Sequence, residues 1–92
     1  MKLLVKLLRP FSEIVGEKEL ELEFDDGTIS DLLELMVDKY SKLKDEFYTK
    51  EDRVSEYVCI FVNDKPLSAL NGVDTRLKDG DEVLFFIPVS GG

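Results

Sequence analysis

Only one stretch of this 92-residue chain, Ile29 to Tyr40, repeats apolar residues at helical spacing, and the other strongly apolar runs read as strands. Ile29, Leu32, Leu33, Met36 and Tyr40 fall on one stripe, with Asp31, Glu34, Asp38 and Lys39 on the solvent side. Thr28 followed three residues later by Asp31 is a capping signal that starts the helix. One helix can cover one face of one sheet, so the chain is expected to be an α+β roll, a mixed sheet with one main helix across it.

The strands fill in that frame. Leu3 to Leu8 is a short apolar run stopped by Arg9-Pro10. Glu19-Leu20-Glu21-Leu22-Glu23-Phe24 alternates strictly, which sends Leu20, Leu22 and Phe24 to the core and the glutamates to water. These two strands are expected to form a hairpin around Gly16. Tyr57 to Val62 is a third strand turned by Asn63-Asp64, and Val83 to Ile87 is the last, ended by Pro88. Leu43 and Phe47 extend the apolar stripe into the 41–53 segment, which otherwise reads as a solvated connection with room for one short helix. The whole chain, 1–92, is expected to be a single domain, with 88–92 a tail beyond the last strand.

This leaves more apolar strand surface than one helix can bury. With Val5 and Leu7 facing the helix, Leu8 faces away. With Ile60 and Val62 inward, Cys59 and Phe61 point outward, and with Val83 and Phe85 inward, Leu84 and Phe86 do. Either the 41–53 segment covers this second face or the face is a partner-binding patch, and large exposed apolar patches usually mark interfaces. The patch is the preferred reading.

Composition removes several function classes. Twelve basic against twenty acidic residues give a net charge of −8, a balance that disfavours grip on nucleic acid or on an anionic membrane. There is no histidine and a single cysteine, so His-dependent nucleophilic catalysis, His-ligated metals and an internal disulfide are excluded within this chain. No metal site is expected, and no run approaches the roughly 20 apolar residues that span a bilayer. The first residues carry a lysine at position 6 and no small-residue cleavage site, so no signal peptide is read there, and the expected setting is cytoplasmic.

Few residues offer chemistry. Cys59 sits mid-strand with no basic residue nearby in sequence to activate its thiol, and reads as structural. Asp25-Asp26 and Asp79/Asp81 flank glycines and read as turns rather than metal carboxylates. Glu19/Glu21/Glu23 is most simply a solvated strand face, with docking of a basic partner the lesser reading. The end of the chain stands apart. Given glycine at roughly 7% of residues, two terminal glycines occur by chance in about 0.5% of chains. Without Cβ atoms, Gly91-Gly92 can thread a narrow channel and present an α-carboxylate, which an ATP-using partner could activate as an acyl-adenylate.

Two stretches, Val62-Asn63-Asp64-Lys65-Pro66-Leu67 and Leu77-Lys78-Asp79-Gly80-Asp81-Glu82-Val83 through Pro88-Val89-Ser90-Gly91-Gly92, resemble the MoaD/ThiS sulfur carriers, and within them the molybdopterin synthase small subunits (MoaD). The resemblance covers nearly the whole chain. It implies the ubiquitin-like β-grasp fold and a non-catalytic carrier subunit that binds no cofactor. A ubiquitin-activating-enzyme-like adenylyltransferase would spend ATP on Gly92, and a sulfurtransferase would leave it as a thiocarboxylate. A MoaE-like large subunit, in a heterotetramer, would then accept the tail and pass sulfur to cyclic pyranopterin monophosphate during molybdenum cofactor biosynthesis. Gly92 and Gly91 would be the reacting end. Leu8, Phe61 and Phe86, with Pro88, Val89 and Ser90 of the tail, would contact the partner. Ile87 stands where the family carries its first tail proline, and the 41–53 segment is longer and more charged than in compact members. Carriers of this type also serve tungsten cofactor or tRNA thiolation, and some archaeal ones are joined to protein lysines. A protein modifier is therefore the second class, and an interaction module with an idle tail the third.

Overall fold

The computed structural model describes residues 1–88. In chain order the elements are β1 (Lys2–Leu7), α1 (Phe11–Val15), β2 (Glu19–Glu23), α2 (Ile29–Lys39), α3 (Lys44–Phe47), β3 (Cys59–Val62), β4 (Lys65–Pro66) and β5 (Glu82–Phe86). Short 3-10 turns stand at Ser41–Leu43, Leu67–Ala69 and Gly72–Asp74. The sheet order is β2-β1-β5-β3-β4. β1 and β5 run parallel at the centre, and the β1–β2, β5–β3 and β3–β4 pairs are antiparallel. This is the mixed sheet expected, and α2 closes one face of it.

Local chemistry sets most boundaries. Thr28 caps α2: its N–H donates to the Asp31 carboxylate at 2.9 Å, while the Asp31 N–H donates back to the Thr28 hydroxyl at 3.4 Å. Gly27 makes this possible, because a Cβ there would collide with the Asp31 carboxylate. Asn63 and Asp64 both adopt positive φ between the paired Val62 and Lys65, the turn whose twist suits a two-residue hairpin. Three of the acidic turn residues are engaged, mostly with groups distant in sequence. Asp79 accepts the Lys2 N–H at 2.7 Å, Asp81 accepts from the Asn63 amide and the Lys78 N–H, and Asp26 pairs with Arg76 at 3.0 Å.

Leu3, Val5 and Leu7 of β1, Leu22 of β2, Ile60 and Val62 of β3, and Val83 and Phe85 of β5 meet Ile29, Leu32, Leu33 and Met36 of α2 in one core. Two departures from expectation are informative. The connection between β1 and β2 is not a plain hairpin: α1 stands in it, Gly16 serves as its left-handed C-cap, and Phe11 is fully buried. β1 ends at Leu7, although the Leu8 N–H still donates to the Phe85 carbonyl at 3.0 Å. As the spacing placed them, Leu43 and Phe47 carry the apolar stripe into the 41–53 segment, and both are fully buried. Phe47 lies 5.3 Å from Phe11 and 5.4 Å from Phe85, ring centre to ring centre. Among the described residues no helix is long and apolar enough to cross a membrane.

Candidate functional site

Phe47 packs on Phe85, whose side chain lies on the α2 side of β5, so Leu43 and Phe47 are spent on the core and leave the opposite face open. Strand pleating decides what that face displays. β5 sends Glu82, Leu84 and Phe86 outward, β1 sends Leu4 and Lys6, and β3 sends Cys59 and Phe61. Register then places Lys6 beside Leu84, Leu84 beside Phe61, and Phe61 beside Pro66. Cys59 is opposite Phe86. The Phe61 and Phe86 rings meet at 5.7 Å between centres, and Leu8, 52% exposed, follows β1 at the same end.

The structure thus brings Leu8, Phe61 and Phe86 to one face, as expected. It adds Leu4, Pro66 and the Lys6–Glu82 ion pair at 3.2 Å, which sequence reading passed over. Counting back from Leu8 in steps of two would have found Lys6 and Leu4. The aromatic pair and Leu84 are half-buried by one another rather than fully exposed. Pro88 is exposed two residues past β5, next to this face in sequence. The expected contacts Val89 and Ser90, and the reacting Gly91 and Gly92, lie outside the described residues.

Cys59 borders a hollow of about 220 Å³ lined by Val58, Ile60, Phe61, Pro66, Leu67 and Ser68. Among the described residues no charged side chain lines this hollow. On the sulfur-carrier expectation, Cys59→Ser should leave sulfur transfer through Gly92 largely intact while losing a little packing. Transfer assays on the folded variant check this, and abolished transfer would reassign the sulfur to Cys59. A second cleft, about 380 Å³, lies on the α2 side between Glu34, Val37, Asp38, Lys44, Tyr48 and Asp52. There burial, and secondarily the Glu34 carboxylate, push the Tyr48 phenol above its ordinary pKa.

The described residues thus present an apolar sheet face around β5, the strand that precedes Pro88. The ThiS family model matches residues 5–92.

The chain belongs to the ThiS family.

As such it is a small ubiquitin-like sulfur carrier or modifier of the β-grasp fold rather than an enzyme in its own right. Small archaeal modifier protein 3 of Haloferax volcanii is 32% identical over 93 residues, covering 100% of both chains. Among solved structures, small archaeal modifier protein 1 of Methanosarcina acetivorans superposes with a TM-score of 0.85 at 33% identity, covering 99% of this chain and 96% of that one. A candidate molybdopterin converting factor subunit 1 from Pyrococcus furiosus superposes at 0.75 with 32% identity, covering 97% and 99%. This ThiS-family chain is therefore similar to modifiers and to a molybdopterin converting factor subunit at nearly the same level of identity.

Proposed function

We propose that this ThiS-family chain carries sulfur on the α-carboxylate of Gly92 as the small subunit of a molybdopterin synthase. The observation that supports it best is the apolar outer face of β1, β5 and β3, continuous with the strand that delivers the tail. In the proposed cycle an adenylyltransferase binds this face and the Gly92 carboxylate displaces pyrophosphate from ATP. A sulfurtransferase persulfide then displaces AMP to give an acyl disulfide, which a thiol cleaves to the thiocarboxylate. A MoaE-like large subunit takes the same face and receives the tail. There the sulfur passes to cyclic pyranopterin monophosphate, and hydrolysis returns the carboxylate.

A second reading has its own support in the full-length likeness to small archaeal modifier protein 3. Here the same acyl-adenylate ends as an isopeptide bond between Gly92 and a lysine of a target protein. Both readings share the activation step and part only at the acceptor. Incubation with ATP, a cognate activating enzyme and a persulfide donor separates them by intact mass. One oxygen-for-sulfur exchange on the free chain marks the carrier, and a ladder of heavier conjugates marks the modifier. A chain that stays unmodified beside a competent activating enzyme would defeat both.

The docking face makes a further prediction. A large aromatic at the centre of an interface can contribute about 2 kcal/mol or more, so Phe86→Asp should weaken binding to the large subunit roughly thirtyfold. Calorimetry on the folded variant measures it, and unchanged affinity would remove Phe86 from the interface. Loss of the fold would instead assign Phe86 to stability.

A further inference from the structure

Among the described residues, the strand that carries Glu19, Glu21 and Glu23 is the outer edge of the sheet, with β1 on one side only. Its hydrogen bonding is set by its ends. The Lys18 carbonyl accepts from the Leu7 N–H at 2.8 Å, and Phe24 both donates to the Met1 carbonyl and accepts from the Met1 amine. Main-chain direction alternates along a strand, so the even-numbered residues turn their N–H and C=O groups toward β1. Glu19, Glu21 and Glu23 turn theirs to the open edge. Their side chains project on the outer face and are exposed, and among the described residues none of them is ion-paired.

We propose that the β2 edge is a docking site for an extended basic segment of another protein, which adds to the sheet as a further strand. The main chain of Glu19, Glu21 and Glu23 would supply the ladder, the mode by which extended peptides join open sheet edges. An antiparallel partner would place a residue directly opposite each glutamate, within reach of its carboxylate on the outer face. Lysine or arginine at alternate positions meets that demand. The intervening partner residues would face the α2 side, where Leu20 and Leu35 are half-buried and favour apolar side chains. Past Glu23 the edge opens into a cleft of about 320 Å³ lined by Phe24, Leu35 and the carboxylates of Asp25, Asp26 and Asp31. Asp26 and Asp31 already have partners, which leaves Asp25 and Glu23 to receive one further cation.

Charge also selects against the simplest competitor. A second copy pairing through β2 would set glutamate against glutamate on the same face, which opposes pairing. Cross-strand lysines relieve part of the charge, because Lys2 faces Glu23 and Lys6 faces Glu19, but Glu21 faces Leu4. Glu21 is therefore the residue on which a basic strand would gain most.

The test is titration of the isotope-labelled full chain with a short peptide of alternating lysine and valine, followed by backbone amide shifts and hydrogen exchange. The expected result is shifts and slowed exchange centred on Glu19, Glu21 and Glu23. Affinity should fall about tenfold or more when the peptide amides facing β2 are N-methylated, since each lost main-chain bond costs up to roughly a factor of ten. Glu21→Lys should weaken binding comparably, and a glutamate–valine peptide should not bind. Equal binding of the methylated peptide would overturn the proposal, because charge alone would then explain it. Absence of binding, with Glu21→Gln making the chain self-associate where the unaltered chain does not, would also overturn it by making the glutamates a guard against self-pairing. A chain lacking Gly92 should bind the peptide unchanged, so failure here leaves the carrier cycle untouched.

Discussion

A chain lacking Gly92 should undergo no productive activation with ATP and its activating enzyme, while folding as well as the intact chain. Removing one residue draws the terminal carboxylate back by about 3.5 Å. Reacting atoms must meet within about 3–3.5 Å, and misplacement by a single ångström can cost on the order of a hundredfold in rate. Docking should survive, because Leu8, Phe61, Leu84 and Phe86 are untouched. Stability should survive too, since the fully buried core residues described run from Leu3 to Phe85. Extending the chain by one residue should block activation equally, by turning the Gly92 carboxylate into a peptide carbonyl. Intact mass after incubation with ATP and a persulfide donor reads both variants. Wild-type modification of the shortened chain would end the proposal that Gly92 is the reacting residue.

Phe47→Ala should be among the most damaging truncations of the fold outside the sheet. Phe47 is completely buried between Phe11 and Phe85, its ring centre 5.3 and 5.4 Å from theirs, so alanine leaves a cavity closed on several sides. Such truncations cost about 3–5 kcal/mol, against a total stability of roughly 5–15 kcal/mol for a small domain. For a chain of this length a loss of that size lowers Tm by at least about 12 °C. Asp45→Ala, in the same short helix but exposed, should stay within about 0.5 kcal/mol. Denaturant unfolding of the pair gives the comparison. Equal stability of the two variants would return the 41–53 segment to the status of a surface connection.

Elements whose cause lies within a few residues were legible in advance. The Thr28–Asp31 capping box, the stripe from Ile29 to Met36, the Glu19–Phe24 alternation and the Asn63-Asp64 turn each depend on neighbours in sequence, and each occurs where the pattern placed it. Their number and order led to the mixed sheet, and the GDEV segment through Gly91-Gly92 pointed to the family. The misread pieces share a different origin. α1 is only five residues long, too short for periodicity to register, and it forms because Phe11 reaches the core. Spacing put Phe47 on the buried stripe but could not name its partners, Phe11 and Phe85, both more than thirty positions away in sequence. β4 is two residues long and contains Pro66, which a sheet accepts only at an edge.

Sequence by itself determined which residues turn to the core, where the helix starts, how the −8 charge and missing histidine confine the chemistry, and that Gly92 is the end to test. Only the tertiary structure decided that Leu8, Phe61 and Phe86 form one surface and that Glu19, Glu21 and Glu23 line a free edge. The physical reason is register. Pleating assigns each side chain to a face from local pattern alone, but its neighbours across the sheet depend on which strands pair and in what alignment. The parallel β1–β5 contact, joining residues nearly eighty positions apart, is set by the packing of the whole core.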